Sequence, residues 1–272
     1  MNDLFSGKDK TEIAIDRLKA FCPPEGYYVA FSGGKDSIVI LDLVKQSGCK
    51  FDAHYSLTTV DPPELVKFIK TFPEVQFNYP EITMWKLIVK KRMPPTRLVR
   101  YCCEYFKEGG GVDRTILTGV RWAESFRRSK RKMVEACYRD SRKHYIHPII
   151  DWTENDVWNY IRNNNLKYCH LYDEGFKRLG CIGCPIAGEK KMAEEFLRWP
   201  KYKTAYIKAF DRCVEKRITD GLKTEWTTGQ QMFDWWMKIN KTIKETNQTE
   251  IEWEAEAKRY EEEELDETII FE

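Results

Sequence analysis

The feature that most constrains this chain is the stretch Tyr27 to Val44, YYVAFSGGKDSIVILDLV, in which an apolar run breaks at Ser-Gly-Gly and resumes at helical spacing. Tyr27 to Phe31 reads as a strand. Ile38, Val39, Leu41, Leu43 and Val44 read as a helix buried on more than one side and closed near Gly48. A strand, a glycine turn and a helix in that order bring backbone N–H groups and the positive end of a helix dipole to one point, which suits a phosphate. Gly33 and Gly34 then allow positive φ and close approach of an anion, Ser32 and Ser37 offer hydroxyls, and Lys35 brings a point charge. Asp36 suits this company when a divalent cation sits between it and the phosphate, which makes it a candidate Mg²⁺ ligand. A tight surface turn is the plainer alternative.

The alternation continues on both sides. Thr11 to Phe21 predicts an opening helix that Pro23-Pro24 ends. Phe51 to Leu57 predicts a second strand. Asp61-Pro62 reads as an N-cap and first-turn proline for a helix over Glu64 to Thr71. Val75 to Tyr79 predicts a third strand, Thr83 to Lys91 a helix, and Thr115 to Val120 a fourth strand ending at Gly119. Strands alternating with helices predict an α/β fold, a doubly wound and mostly parallel sheet covered on both faces. Thr153 to Asp156 starts a further helix. After Cys184-Pro185 the patterns are helical only, over Lys190 to Trp199, Tyr202 to Arg217, Gly229 to Ile239 and Ile251 to Glu264. The expected organisation is an N-terminal helix (1–26), a nucleotide-binding domain carrying clustered cysteines (27–185) and a helical C-terminal extension (186–272). Trp226, Trp235 and Trp236 read as core of that extension, and Glu261 to Glu264 as a solvated run.

Charge excludes some classes. The 45 basic and 43 acidic residues leave a net charge of +2, so no global field marks the chain as a nucleic-acid or membrane binder. The first ten residues hold no apolar leader, and no uncharged run approaches the roughly 18 residues of a membrane span. The expectation is a soluble, cytoplasmic protein with no membrane partner. In that compartment nine cysteines point to metal or catalytic use rather than disulfides. Cys22, Cys49, Cys137, Cys169 and Cys213 stand alone and read as small buried hydrophobes. Cys102-Cys103 and Cys181-Ile182-Gly183-Cys184 do not stand alone. Lys90, Lys91, Arg92, Arg97 and Arg100 precede the tandem pair; they suit thiolate neutralisation, phosphate binding, nucleic-acid contact or plain solvation alike.

A second polar constellation, Thr118-Gly119-Val120-Arg121-Trp122-Ala123-Glu124-Ser125-Phe126-Arg127-Arg128, falls at the end of the fourth predicted strand, the edge where ligands of open α/β sheets collect. Arg121 and Arg128 suit bidentate binding of phosphate or sulfate oxygens, and Glu124 suits positioning one of them. SGGKDS after an apolar strand resembles the pyrophosphate-binding loop of the N-type ATP pyrophosphatases, or PP-loop enzymes; the Walker spacing is absent. With GxRxxES followed by arginine, and with His147-Pro148-Ile149-Ile150-Asp151-Trp152-Thr153-Glu154-Asn155-Asp156-Val157-Trp158, the chain resembles the phosphoadenosine phosphosulfate (PAPS) reductase family of that superfamily over about Tyr27 to Pro185. The tandem pair plus CxxC is similar to the ligand set of iron–sulfur adenosine phosphosulfate (APS) reductases. That similarity implies a [4Fe–4S] cluster on Cys102, Cys103, Cys181 and Cys184, with Zn²⁺ as the alternative on the same residues.

The resemblance implies a bound adenine nucleotide and two competing reactions. In sulfonucleotide reduction a cysteine thiolate attacks the sulfur of APS or PAPS, and thioredoxin later releases the enzyme. The reductases carry that cysteine in a Glu-Cys-Gly segment, whereas the last cysteine here is Cys213 in AFDRCVEKR. In the other reaction ATP is split to AMP and pyrophosphate during sulfur transfer, with Lys35, Asp36 and Arg121 as the catalytic residues. A complete SGGKDS loop fits that pyrophosphate, and the cluster-bearing sulfur-transfer proteins of DNA phosphorothioation are similar in plan. They imply a nucleic-acid acceptor and a cysteine desulfurase as sulfur donor. A nucleotide sensor without turnover is a third expectation.

Overall fold

The computed structural model describes residues 7–137 and 141–239; the helix expected over Ile251 to Glu264 lies outside them. In chain order the elements are α1 (Lys10–Ala20), β1 (Tyr27–Ala30), α2 (Lys35–Ser47), β2 (Phe51–Ser56), α3 (Pro63–Ile69), β3 (Val75–Asn78), α4 (Met84–Lys91), α5 (Tyr101–Lys107) and β4 (Thr115–Leu117). There follow α6 (Phe126–Ser129), β5 (Val134–Ala136), β6 (His144–Ile146), α7 (Glu154–Asn163), α8 (Glu189–Arg198), α9 (Pro200–Thr219) and α10 (Gly229–Ile239). They divide between two compact units, one of residues 7–80 and 107–180, the other of 81–106 and 181–239.

The first unit is an α/β sheet domain with strand order β3-β2-β1-β4-β6-β5, parallel throughout except for β5, which runs antiparallel to β6 at one edge. Tyr27, Tyr28 and Val29 of β1 are all buried, as a central strand covered on both faces demands. Helix α2 buries Ile38, Val39, Ile40, Leu41, Leu43 and Val44 and closes on left-handed Gly48, as its sequence pattern requires. Helix α7 starts at a Thr153/Asp156 capping box.

Three local expectations are corrected. Asp61 does not cap α3; its carboxylate accepts from the Thr58 N–H at 2.7 Å, while Pro62 takes the cap position and Pro63 opens the helix. Strands β5 and β6 and helix α5 had no sequence counterpart, because each is short and β5 is half solvated, so none carries a period. Cys22 is exposed and Cys49 and Cys137 are only half-buried, so of the isolated cysteines Cys169 and Cys213 alone are buried hydrophobes.

The second unit is helical. Trp85, Phe196, Tyr206, Phe210, Phe233 and Trp236 form an aromatic core with ring centroids about 5–6 Å apart. Trp236 is fully buried and donates its indole N–H to the Pro95 carbonyl at 2.6 Å. Trp226 is buried against Trp235, so Trp226 and Trp236 are core, as expected, while Trp235 is only half-buried.

Candidate functional site

In the sheet domain the strand order reverses between β1 and β4, and the carboxyl ends at such a point are where open α/β sheets bind ligands. The two loops that frame it are the two motifs singled out above. Gly33 has φ +70°, and a Cβ there would lie 2.6 Å from Ile69 Cγ1, so only glycine fits. Gly34 differs from expectation: its φ is −79°, and it serves as the extended N-cap of α2. Ser37 is buried and works inside the turn, donating to the Gly34 carbonyl at 2.8 Å and accepting from the Ser32 N–H at 3.2 Å. Ser32 is exposed beside it. Gly119, after β4, lets the backbone come against α2, since a Cβ would meet Asp36 Cβ at 2.7 Å.

Two cations are buried at this point. Arg121 is 2% exposed; its Nε donates to Asp36 Oδ1 at 2.6 Å, its Nη2 to Glu154 Oε2 at 2.8 Å and its Nη1 to the Trp152 carbonyl at 3.3 Å. Lys35 is 5% exposed, with Nζ 3.1 Å from the Lys177 carbonyl, 3.3 Å from Glu154 and 3.8 Å from Asp36. Tyr172 closes the cluster: its hydroxyl accepts from the Lys35 N–H at 2.9 Å, and its ring lies 5.5 Å from Lys35 Nζ. Burial raises the Asp36 carboxyl above its ordinary value, against the pull of Arg121 and Lys35. Glu154 is more exposed; burial works to raise it, but Lys35 and Arg121 outweigh that and hold it below the ordinary range. The arrangement sets two carboxylates against two buried basic side chains, so each buried charge has a partner of the other sign.

The remaining residues of the second motif sit one step outward. Glu124 accepts from the Arg121 N–H at 2.9 Å and pairs with Arg128. Ser125 caps α6, accepting from the Arg128 N–H at 3.3 Å. Glu124 therefore links the two arginines.

The four clustered cysteines all belong to the helical unit. Cys102 is hydrogen-bonded to Cys103, and that bond, burial and the nearby sulfurs of Cys103, Cys181 and Cys184 push its thiol far up. Four thiols match the donor number of a [4Fe–4S] cluster or a Zn²⁺ site. Among the described residues, however, no group of three or more His, Cys, Asp or Glu is gathered as a finished metal site. The donor chemistry fits the group. Of the basic run before them, Arg92 is paired with Asp220 at 2.9 Å, and Arg97 Nη1 is buried without a hydrogen-bond partner among the described residues.

Residues 26–187 match the family described as the phosphoadenosine phosphosulfate reductase domain. The chain belongs to this family. Among its relatives, an uncharacterized protein of Methanocaldococcus jannaschii is 30% identical over 74% of this chain and 50% of its own length. The chain thus spans about half of that relative. An adenosine 5'-phosphosulfate reductase of Oceanobacillus iheyensis is 27% identical over 57% of this chain and 69% of its own. A solved PAPS reductase from Candida auris, in a phosphate complex, aligns with a TM-score of 0.49 at 20% identity over 64% of this chain and 88% of that one.

For this PAPS reductase family member, the residues that sequence reasoning missed as site components are Glu154, Tyr172 and Lys177. Glu154 stood in a quoted motif but was read only as a helix start. Tyr172 and Lys177 lie on an irregular segment with no period, and nothing local marks them. No helix among the described residues is long and apolar enough to cross a membrane.

Proposed function

We propose that this chain is an adenine-nucleotide enzyme that splits ATP to AMP and pyrophosphate in a sulfur-transfer reaction. The observation that carries the reading is the pair of buried cations, Lys35 and Arg121, at the amino end of α2. In the proposed step an acceptor oxygen attacks the α-phosphorus of ATP, the bond from that phosphorus to the β-phosphate's bridging oxygen breaks, and pyrophosphate leaves. Lys35, Arg121 and the first-turn N–H groups of α2 take up the charge developing on the leaving group. Ser32 and Arg128 hold outer phosphate oxygens, and Mg²⁺ arriving with the nucleotide is met by Asp36. A sulfur nucleophile then displaces AMP from the acceptor. Cys102, Cys103, Cys181 and Cys184 would hold the [4Fe–4S] cluster or Zn²⁺ of this reading, and the cluster would supply a redox-capable metal group bound through thiolates. The acceptor class is nucleic acid, and the sulfur source is a desulfurase persulfide, whose outer sulfur forms the new bond and whose S–S bond to the donor is then broken by a second thiol, leaving a disulfide.

Sulfonucleotide reduction is the second reading. It is favoured by the relatives named as adenosine 5'-phosphosulfate reductases, including one from Geobacillus thermodenitrificans that is 28% identical over 66% of this chain. The same cations then hold the phosphates of APS or PAPS, and thioredoxin is the partner. Anaerobically purified protein incubated with ATP and Mg²⁺, and separately with APS or PAPS and thioredoxin, separates the readings. AMP with pyrophosphate is the expected product. Sulfite supports the second reading, and binding without turnover a sensor.

A further inference from the structure

The helical unit contains a buried carboxylate that the proposed chemistry does not use. Glu195, on α8, is 5% exposed, and its Oε2 accepts from the Gly183 N–H at 2.8 Å. Tyr206, on α9, is 1% exposed, and its hydroxyl donates to the Ile182 carbonyl at 3.0 Å. The Ile182 carbonyl and the Gly183 N–H are the two ends of one peptide group, the one midway between Cys181 and Cys184. That peptide plane is therefore gripped from both sides by side chains of different helices. Gly183 has φ +71°, and a Cβ on it would lie 2.7 Å from Phe196 Cζ, so the aromatic core closes on the same turn.

Packing alone does not call for this. A carboxylate is costly to bury, and burial pushes Glu195 up to about 7, whereas a methionine would fill the space without that penalty. The hydrogen bond supplies what an apolar side chain lacks: it sets the rotation of the peptide plane, and with it the direction in which the flanking Cα–Cβ bonds project.

We infer that Glu195 and Tyr206 are positioning residues that lock the Ile182–Gly183 peptide so that the Cys181 and Cys184 thiols face the Cys102–Cys103 pair as one ligand set. This rests on the reading of the four cysteines as metal ligands and adds a role for α8 and α9: they set the ligand geometry. Substituents on the locked peptide turn with it, so loss of either grip costs the site its shape before it costs the fold its stability.

Three variants test it. Glu195→Gln keeps an acceptor for Gly183, Glu195→Leu removes it, and Tyr206→Phe removes only the hydroxyl. In metal-free protein, hydrogen exchange at Gly183 and the alkylation rates of Cys181 and Cys184 are followed by mass spectrometry, with thermal melting as a check on folding. The same proteins are then reconstituted anaerobically with iron and sulfide, and separately with Zn²⁺, and metal release to a chelator is timed. Glu195→Leu and Tyr206→Phe are expected to speed exchange at Gly183 and metal release by about five- to tenfold, with Glu195→Gln restoring both near the wild-type rates. Wild-type rates in Glu195→Leu and Tyr206→Phe, with the wild type loading normally, would overturn the positioning role alone. A wild type that takes up neither iron and sulfide nor zinc would overturn the ligand reading and the role built on it.

Discussion

Arg121→Met tests the charge balance at the amino end of α2. Arg121 is 2% exposed and bridges Asp36 and Glu154, whose side chains are 21% and 52% exposed. Removing one partner of a buried ion pair costs about 3–5 kcal/mol, because the other charge is left without compensation. At roughly 2–4 °C per kcal/mol for a chain of this size, that is a fall of about 6–20 °C in melting temperature. The loss should not be shared equally. Glu154 can regain water, whereas Asp36 is left with Lys35 at 3.8 Å as its remaining cation. Arg121→Met/Asp36→Asn should therefore recover most of the loss in urea titrations at pH 7, and Arg121→Met/Glu154→Gln little of it. Lowering the pH should narrow the gap between Arg121→Met and wild type. The Asp36 carboxyl, already raised by burial, takes a proton more readily once the guanidinium is gone, and the penalty of a raised carboxyl is relieved as pH falls. Equal recovery by the two double variants would refute this account of the site.

Three further outcomes are expected. His147 is fully buried against Thr118, and burial followed by Arg131 lowers it from 6.5 to about 4, so the unfolded chain binds the proton first. Stability should fall by about 3 kcal/mol as pH drops through that window, and His147→Asn should flatten this limb in pH-resolved denaturation. Gly119→Ala forces a Cβ to 2.7 Å from Asp36 Cβ and should cost about 1–3 kcal/mol, together with weaker nucleotide binding by calorimetry. Tyr172→Phe frees the Lys35 N–H for a phosphate oxygen; a bond worth about 0.5–1.5 kcal/mol predicts roughly two- to tenfold tighter ATP binding with a matching loss of unliganded stability. Unchanged or weaker binding would mean that the hydroxyl does not occupy a phosphate position.

Much of the site was legible because its parts are local. The turn from β1 into α2 is written in consecutive residues, and Gly33 adopts the left-handed backbone that its neighbours require. The second motif lands beside it because parallel strands separated by helices bring their carboxyl ends to one edge. The roles within the site were less legible. Asp36, the candidate Mg²⁺ ligand, also pairs with the guanidinium of Arg121, 85 residues away. No spacing rule connects the two.

The sequence by itself determined the alternation of strand and helix, the glycine turn, the membership of both motifs and the grouping of cysteines into a tandem pair and a CxxC. These depend on periods of two and of 3.6 residues and on backbone freedom, which act over a few neighbours. Tertiary structure alone decided that Tyr172 and Lys177 close over Lys35, and that Glu195 and Tyr206 hold opposite ends of one peptide group. Each of these joins a buried polar atom to a partner brought near only by packing, and burial is what makes the partner obligatory.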